Sequence, residues 1–280
     1  MRTAWVKNAL SGLLASLLTW ASLVQSSTLE TELLALKEAV QASRIEQDIT
    51  TLAGFGTRHT LSDTESNERG IGAARRWIEA EFRRISLACG GCLEIQVKGA
   101  AISGEPRIPE ATDVVNVIAI LRGETDPNRY VLMSGDIDSR VSDPMDATSD
   151  SPGANDNASG MAGVLEAARV LSQRRFAASI VLAGLSGEEQ GLFGGKILAE
   201  QAKAEGWYIE AVLNNDMIGN ITGINGVVDN TRVRVFSEGT RAIETEAERR
   251  LRRFTGGEVD SPSRNVARYI DDLADRYFDN

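Results

Sequence analysis

The sequence predicts an α/β fold, a three-layer α/β/α sandwich around a largely parallel mixed central sheet, and three observations carry that reading. Short apolar, β-branched runs alternate with segments of helical periodicity. The runs "DVVNVIAILRG", "YVLMSG" and "ASIVLAGLS" read as buried strands, as a sheet covered by helices on both faces requires. Acidic residues recur where these strands end, and open α/β sheets bind their ligands outside the carboxyl ends of the strands.

The elements follow in chain order. Arg2 and Lys7 precede an apolar run, Ala9–Val24, that is shorter than the ~20 residues a membrane span needs, and Ser26 and Ser27 follow it. Residues 1–26 therefore read as a secretory signal peptide and 27–280 as the folded domain. An exported, secreted or periplasmic chain with no stable membrane span after signal removal is expected, with an uncleaved anchor as the alternative. "TLETELLALKEAVQASRIEQDITTLAG" reads as one helix ending at Gly54, and "FGTRHTLSDTESNERG" as a polar loop. The next helix places Ile71, Ala74, Ile78, Phe82 and Ile85 on one face.

Cys89 and Cys92, in "CGGC", have no second pair to complete a zinc site, so an exported chain would use them as a local disulfide. The strands "CLEIQVKG", "DVVNVIAILRG", "YVLMSG", "ASIVLAGLS" and "IEAVLNND" then alternate with the helices "SGMAGVLEAARVLSQ" and "GLFGGKILAEQAKAEG". In the first of these helices Met161, Val164, Leu165, Ala168 and Leu171 are expected to form the buried stripe.

The net charge of −10 excludes a phosphate-backbone ligand, because no lysine or arginine stripe balances the acids. "ERRLRRF" has mixed sign at helical spacing and reads as a solvated helix face. "GLFGGK" departs from a phosphate loop at both ends, with Gln190 and Ile197 where glycine and a hydroxyl residue belong. There is no G-x-S-x-G elbow, and the one histidine is His59. "NAS" at Asn157–Ser159 is a formal glycosylation sequon whose place among the acids makes it incidental.

The acids define the candidate site. Asp136 and Asp138 follow "YVLMSG", Asp156 lies in "PGANDNASG", Glu188 and Glu189 follow "ASIVLAGLSG", and Asp216 ends "AVLNND". Burying five or six carboxylates without cations costs several kcal/mol per ion, so bound divalent metal is the natural compensation. An adjacent acidic pair such as Glu188–Glu189 suits a metal hydrolase: one carboxylate ligates while its neighbour takes a proton from a water acidified from pKa ~15.7 toward ~7.

Together these segments resemble the co-catalytic zinc aminopeptidases of metallopeptidase family 28. The family pattern reads G-H-x-D-S, P-G-A-D-D-N-A-S-G, E-E-x-G-L-x-G and N-x-D-M-x-G. Here it stands as "GDIDS" (Gly135–Ser139), "PGANDNASG" (Pro152–Gly160), "EEQGLFG" (Glu188–Gly194) and "NNDMIG" (Asn214–Gly219). The resemblance implies two divalent metal ions, Zn²⁺ first, bridged by Asp156 and ligated by Asp136, Glu189 and Asp216. It gives Glu188 the role of general base and sets Asp138 behind Asp136. It implies peptide substrates cleaved at a free N-terminus, with carboxypeptidase or glutaminyl cyclase activity, or a catalytically impaired peptide- or metal-binding homologue, as alternatives. Two departures stand out. Asp136 replaces the family's first histidine, and an all-oxygen donor set leans toward Mn²⁺ or Mg²⁺. No histidine follows His59, so the chain is expected to stop before the family's last strands and last ligand, a naturally shortened relative being the alternative.

Overall fold

The computed structural model describes residues 29–278, and the expected signal segment, residues 1–26, lies outside them. The described residues fall into two units, one ending at Gln41 and one beginning at Ala42. The first contributes a helix, α1, over residues 29–39. The second opens with α2 (Ala42–Gly54). The sequence suggests one continuous helix here, and the structure breaks it at residues 40–41. There the Val40 amide bonds the Lys37 carbonyl at 3.2 Å, a contact one residue too short for the α-helical ladder. No glycine or proline marks the break, so the sequence carries no local signal for it.

The second unit is a five-stranded sheet between helices, built from α3 (Gly70–Ala88), β1 (Leu93–Ile102), β2 (Thr112–Leu121), β3 (Asp126–Asp136), α4 (Gly160–Leu171), β4 (Ala178–Leu185), α5 (Phe193–Ala204) and β5 (Tyr208–Asn215). The strand order is β1-β2-β4-β3-β5. Strand β3 runs parallel to both β4 and β5, whereas β1–β2 and β2–β4 are antiparallel. The sheet is therefore mixed, with a larger antiparallel share than expected, because β1 returns to β2 through a direct loop without a crossover helix.

One sheet face is covered by α3 and α4. Ile71, Ala74, Ile78, Phe82 and Ile85 of α3 and Met161, Val164, Leu165 and Ala168 of α4 are buried against Val117, Ala119 and Leu182. On the other face Leu198 of α5 joins Ile118, Ile120, Leu132, Val181 and Ala183. Trp207 stacks on Tyr130 there, with ring centroids 4.5 Å apart. A disulfide between Cys89 and Cys92 (Cα–Cα 5.6 Å) closes the turn from α3 into β1.

Past β5 come α6 (Glu246–Thr255) and α7 (Pro262–Tyr277), neither with a buried residue. Helix α6 starts with a reciprocal capping box between Thr245 and Glu248, and its arginines pair with Glu244 and Glu246, the solvated face expected of "ERRLRRF". Among the described residues no helix is long and apolar enough to cross a membrane.

The register of the parallel half sets the site. Asp136 lies level with Leu185, and Gly135 lies level with both Gly184 and Asn215. The strand ends that carry Asp136, Glu188–Glu189 and Asp216 thus open on one edge of the sheet.

Candidate metal centre

Asp136 closes β3, and Asp138 follows two residues on, just past the strand end. Asp136 is 5% exposed, and its Oδ2 accepts a hydrogen bond from Asn157 Nδ2 at 2.9 Å. Asp138 is 1% exposed and accepts from three donors: Thr60 Oγ1 (2.9 Å) and the backbone amides of Glu188 (3.2 Å) and Glu189 (3.1 Å). Asp138 lies close enough to act electrostatically on Asp136, while its hydrogen bonds go to other partners. Two neighbouring carboxylates repel, and each takes its own donors. Asp138 fixes the turn that projects Glu188 and Glu189 over the edge of the sheet.

The loop Pro152–Gly160 brings Asp156 to the same edge. Gly153 has φ +49°, and a Cβ there would lie 2.4 Å from the Asp156 carbonyl and 2.9 Å from Arg58 Nη2, so only glycine fits. Asn157 turns inward. Its Nδ2 bonds both Asp136 Oδ2 and the Asn215 carbonyl (2.8 Å), and its Oδ1 accepts from the amides of Gly160 and Met217. Being buried and fully used, Asn157 is a structural clasp at the site rather than an accessible glycan acceptor. Gly160 permits the fit, since a Cβ there would lie 2.2 Å from the Asn215 carbonyl. The "NDMIG" segment is laid along the same loop by Ile218 N to Ser159 Oγ and Gly219 N to Asn155 Oδ1, both 3.0 Å.

Beneath these loops lies a feature that the sequence does not announce. "RHT", Arg58–Thr60, sits in the segment expected to be a polar loop, yet all three residues are 1% exposed or less. Arg58 donates to four backbone carbonyls, and Thr60 holds Asp138. The Leu61 amide donates to His59 Nδ1 at 3.1 Å, which leaves Nε2 as the ring's donor, 3.0 Å from the Pro144 carbonyl and beside Gln190. His59 is a strut under the loops and takes no ligand position. A run of polar residues inside a loop has no periodicity, so no pattern in the sequence separates this buried tripeptide from solvated ones.

The carboxylates crowd one another. Burial first, and then Asp138, Glu188 and Asp216, push Asp136 up to about 8 against the Asn157 bond. Burial raises Asp138 despite its three donors. Glu188, half-buried, is pushed up to about 7 by desolvation and then by Glu189, Asp138, Asp216 and Asp156. Glu189 is raised by burial and drawn back by Arg140, whose Nε lies 2.5 Å from its Oε2. Asp216 is raised by partial burial and by Asp156.

These residues fit a hard divalent cation in charge and donor chemistry. They supply only oxygen, their negative charges outnumber the nearby arginines, of which only Arg140 pairs directly with one of them, Glu189, among the described residues, and Asp136 Oδ1 and Glu189 Oε1 accept no hydrogen bond among the described residues. Asp136, Asp156, Glu188, Glu189 and Asp216 share one electrostatic neighbourhood. Among the described residues, however, no three histidine, cysteine, aspartate or glutamate side chains are gathered into a chelating group. Asp136 is turned onto Asn157 and Glu189 onto Arg140.

Residues 116–272 match the family model described as Peptidase family M28. A probable zinc metalloprotease of Leptosphaeria maculans is 45% identical over 247 residues, 88% of this chain and 57% of that protein. Another from Pyricularia oryzae is 42% identical over 89% of this chain and 50% of its own length, so the chain spans about half the length of these curated relatives. Among solved structures, a leucine aminopeptidase precursor from Bacteroides thetaiotaomicron superposes with TM-score 0.52 at 17% identity, over 66% of this chain and 64% of that one. A glutaminyl cyclase from Porphyromonas gingivalis does so with TM-score 0.52 at 22% identity, over 64% and 62%. At such identities the likeness is one of fold.

Proposed function

The chain belongs to peptidase family M28, and on that premise we propose that it is the catalytic α/β core of an exported, metal-dependent aminopeptidase. The observation that supports this most is the crowding of carboxylates at the ends of β3, β4 and β5, with Glu188 raised to about 7. Asp136, Asp156, Glu189 and Asp216 would hold two divalent ions, zinc by kinship with the zinc metalloproteases and Mn²⁺ or Mg²⁺ by donor chemistry. When bound, such ions acidify water and polarise a scissile carbonyl. Glu188 is the base that removes the attacking water's proton and returns it to the leaving amine. A carboxylate poised near neutrality is suited to both transfers. The acidic edge also attracts the ammonium of an unblocked peptide, which favours cleavage at the N-terminus.

The test is hydrolysis of aminoacyl-anilides and short peptides by the metal-loaded full-length protein. Turnover of free-amine substrates, with none of their N-acetylated forms, is expected. Preference for the blocked forms, or cyclisation of N-terminal glutamine with no peptide hydrolysis, would overturn the aminopeptidase reading. A second reading is a metal- or peptide-binding relative without turnover. The absent imidazole at position 136 and the ungathered donors favour it.

A further inference from the structure

We infer that Arg58 is a positioning residue that sets the span between the two halves of the metal centre, through the fork of its guanidinium rather than through its charge. The inference rests on the metallopeptidase reading above.

Asp136 and Asp156 come from different parts of the chain, one at the end of β3 and one in the loop that leads into α4. Arg58 touches neither carboxylate. Its Nε donates to the carbonyl of Ile137 (2.8 Å), the residue between Asp136 and Asp138. Its Nη1 donates to Pro152 (2.6 Å) and Nη2 to Gly153 (3.0 Å), at the start of the Asp156 loop. A further bond from Nη1 reaches the Leu52 carbonyl of α2 at 2.9 Å and ties the fork to the scaffold. One planar group therefore bridges the backbone of both ligand-bearing segments. The bridge is reinforced alongside, where Ser139 Oγ accepts from the Arg58 amide (3.2 Å) and donates to the Ser151 carbonyl (2.8 Å).

Three features separate this from ordinary packing. Arg58 is 1% exposed, and a buried guanidinium is costly unless its donors are used, which here is done by carbonyls of the site loops. Gly153 is shaped around it, since a Cβ at that position would meet Nη2 at 2.9 Å. Among the described residues the second buried guanidinium near Asp138, Arg75, bonds only Ser186 Oγ and its Nη2 has no partner, so proximity to the acids does not by itself produce such a bridge. A lysine at position 58 would keep the charge, but its compact ammonium cannot span three carbonyls in a plane.

The experiment measures Zn²⁺ and Mn²⁺ dissociation constants, by competition with a chromogenic chelator, for the wild-type chain and for Arg58→Lys, Ser139→Ala and Arg169→Lys. Arg169 lies in a buried ion-pair network with Asp48 and Glu81, apart from the metal loops, and its variant controls for loss of stability alone. Arg58→Lys is expected to weaken metal binding by about ten- to a hundredfold, the range for partners that orient ligands. Arg169→Lys should lower the melting temperature yet bind metal within about twofold of wild type. Wild-type affinity in a folded Arg58→Lys chain, or an equal loss in Arg169→Lys, would overturn the inference. Should Arg58→Lys fail to fold, Ser139→Ala decides: a loss of about three- to tenfold supports the bridge, and unchanged affinity overturns it. A wild-type chain that binds no metal would overturn the metallopeptidase reading and this inference with it. That result is distinct from a wild type that binds and variants that bind equally well.

Discussion

Glu188→Gln is expected to lower kcat by about 10²- to 10⁴-fold, the contribution of a positioned general base, and to leave metal content unchanged. The substitution keeps the shape of the side chain and removes only its capacity to take a proton. Glu188 is placed for that role by the turn after β4, whose two amides are held by Asp138. Because the residue is not itself among the proposed ligands, the loss should fall on kcat and spare both KM and the metal dissociation constants. Steady-state kinetics on an aminoacyl-anilide, with metal analysis of the same sample, separates the outcomes. A loss of metal along with activity would reassign Glu188 as a ligand, and retention of more than about a tenth of wild-type kcat would remove it from the chemistry.

The second large effect is a pH dependence of metal binding. Asp136 is raised from the ordinary carboxylate value of 3.8 to about 8, chiefly by burial. A folded-state pKa above the unfolded one means that the native metal-free chain holds its proton more tightly. Its contribution to stability is therefore fully present below about 4 and is lost as pH rises through about 8. A ligating carboxylate has to release that proton, so apparent metal affinity should rise about tenfold for each pH unit from 6 toward 8 and then level off. Titrations at pH 6 and pH 7 in a weakly buffered solution should show tighter binding at pH 7 and proton release at both. Equal affinity at the two values would show that Asp136 is not a ligand.

The α/β class, the core stripes of α3 and α4 and the grouping of acids were legible in the sequence, because each follows from a local period or from its place at the end of an apolar run. Ile71, Ile78 and Phe82 repeat at helical spacing, and they are buried where that spacing puts them. The antiparallel half of the sheet was not legible, since β1 and β2 read as strands whichever direction they pair. The partners of the acids were hidden for a related reason. The sequence shows Asn157 only as part of a glycosylation sequon and Arg58, His59 and Thr60 only as part of a polar loop, because what buries them is contact with other segments of the chain. Hydrogen bonds that cross 21, 78 or 94 residues leave no mark on local composition. The acidic motifs locate the site, and the residues that hold it together become visible only once the chain is folded.

The central claim is that the carboxylates at the ends of β3, β4 and β5 form a metal centre, and metal stoichiometry tests it most directly. The purified chain should be stripped with chelator, equilibrated with excess Zn²⁺ or Mn²⁺, freed of unbound ion, and assayed by atomic emission beside Asp156→Asn. The account predicts two equivalents of metal per wild-type chain and a marked loss in the variant. Wild-type protein that retains no more metal than a denatured control, or as much metal in Asp156→Asn as in wild type, would contradict it.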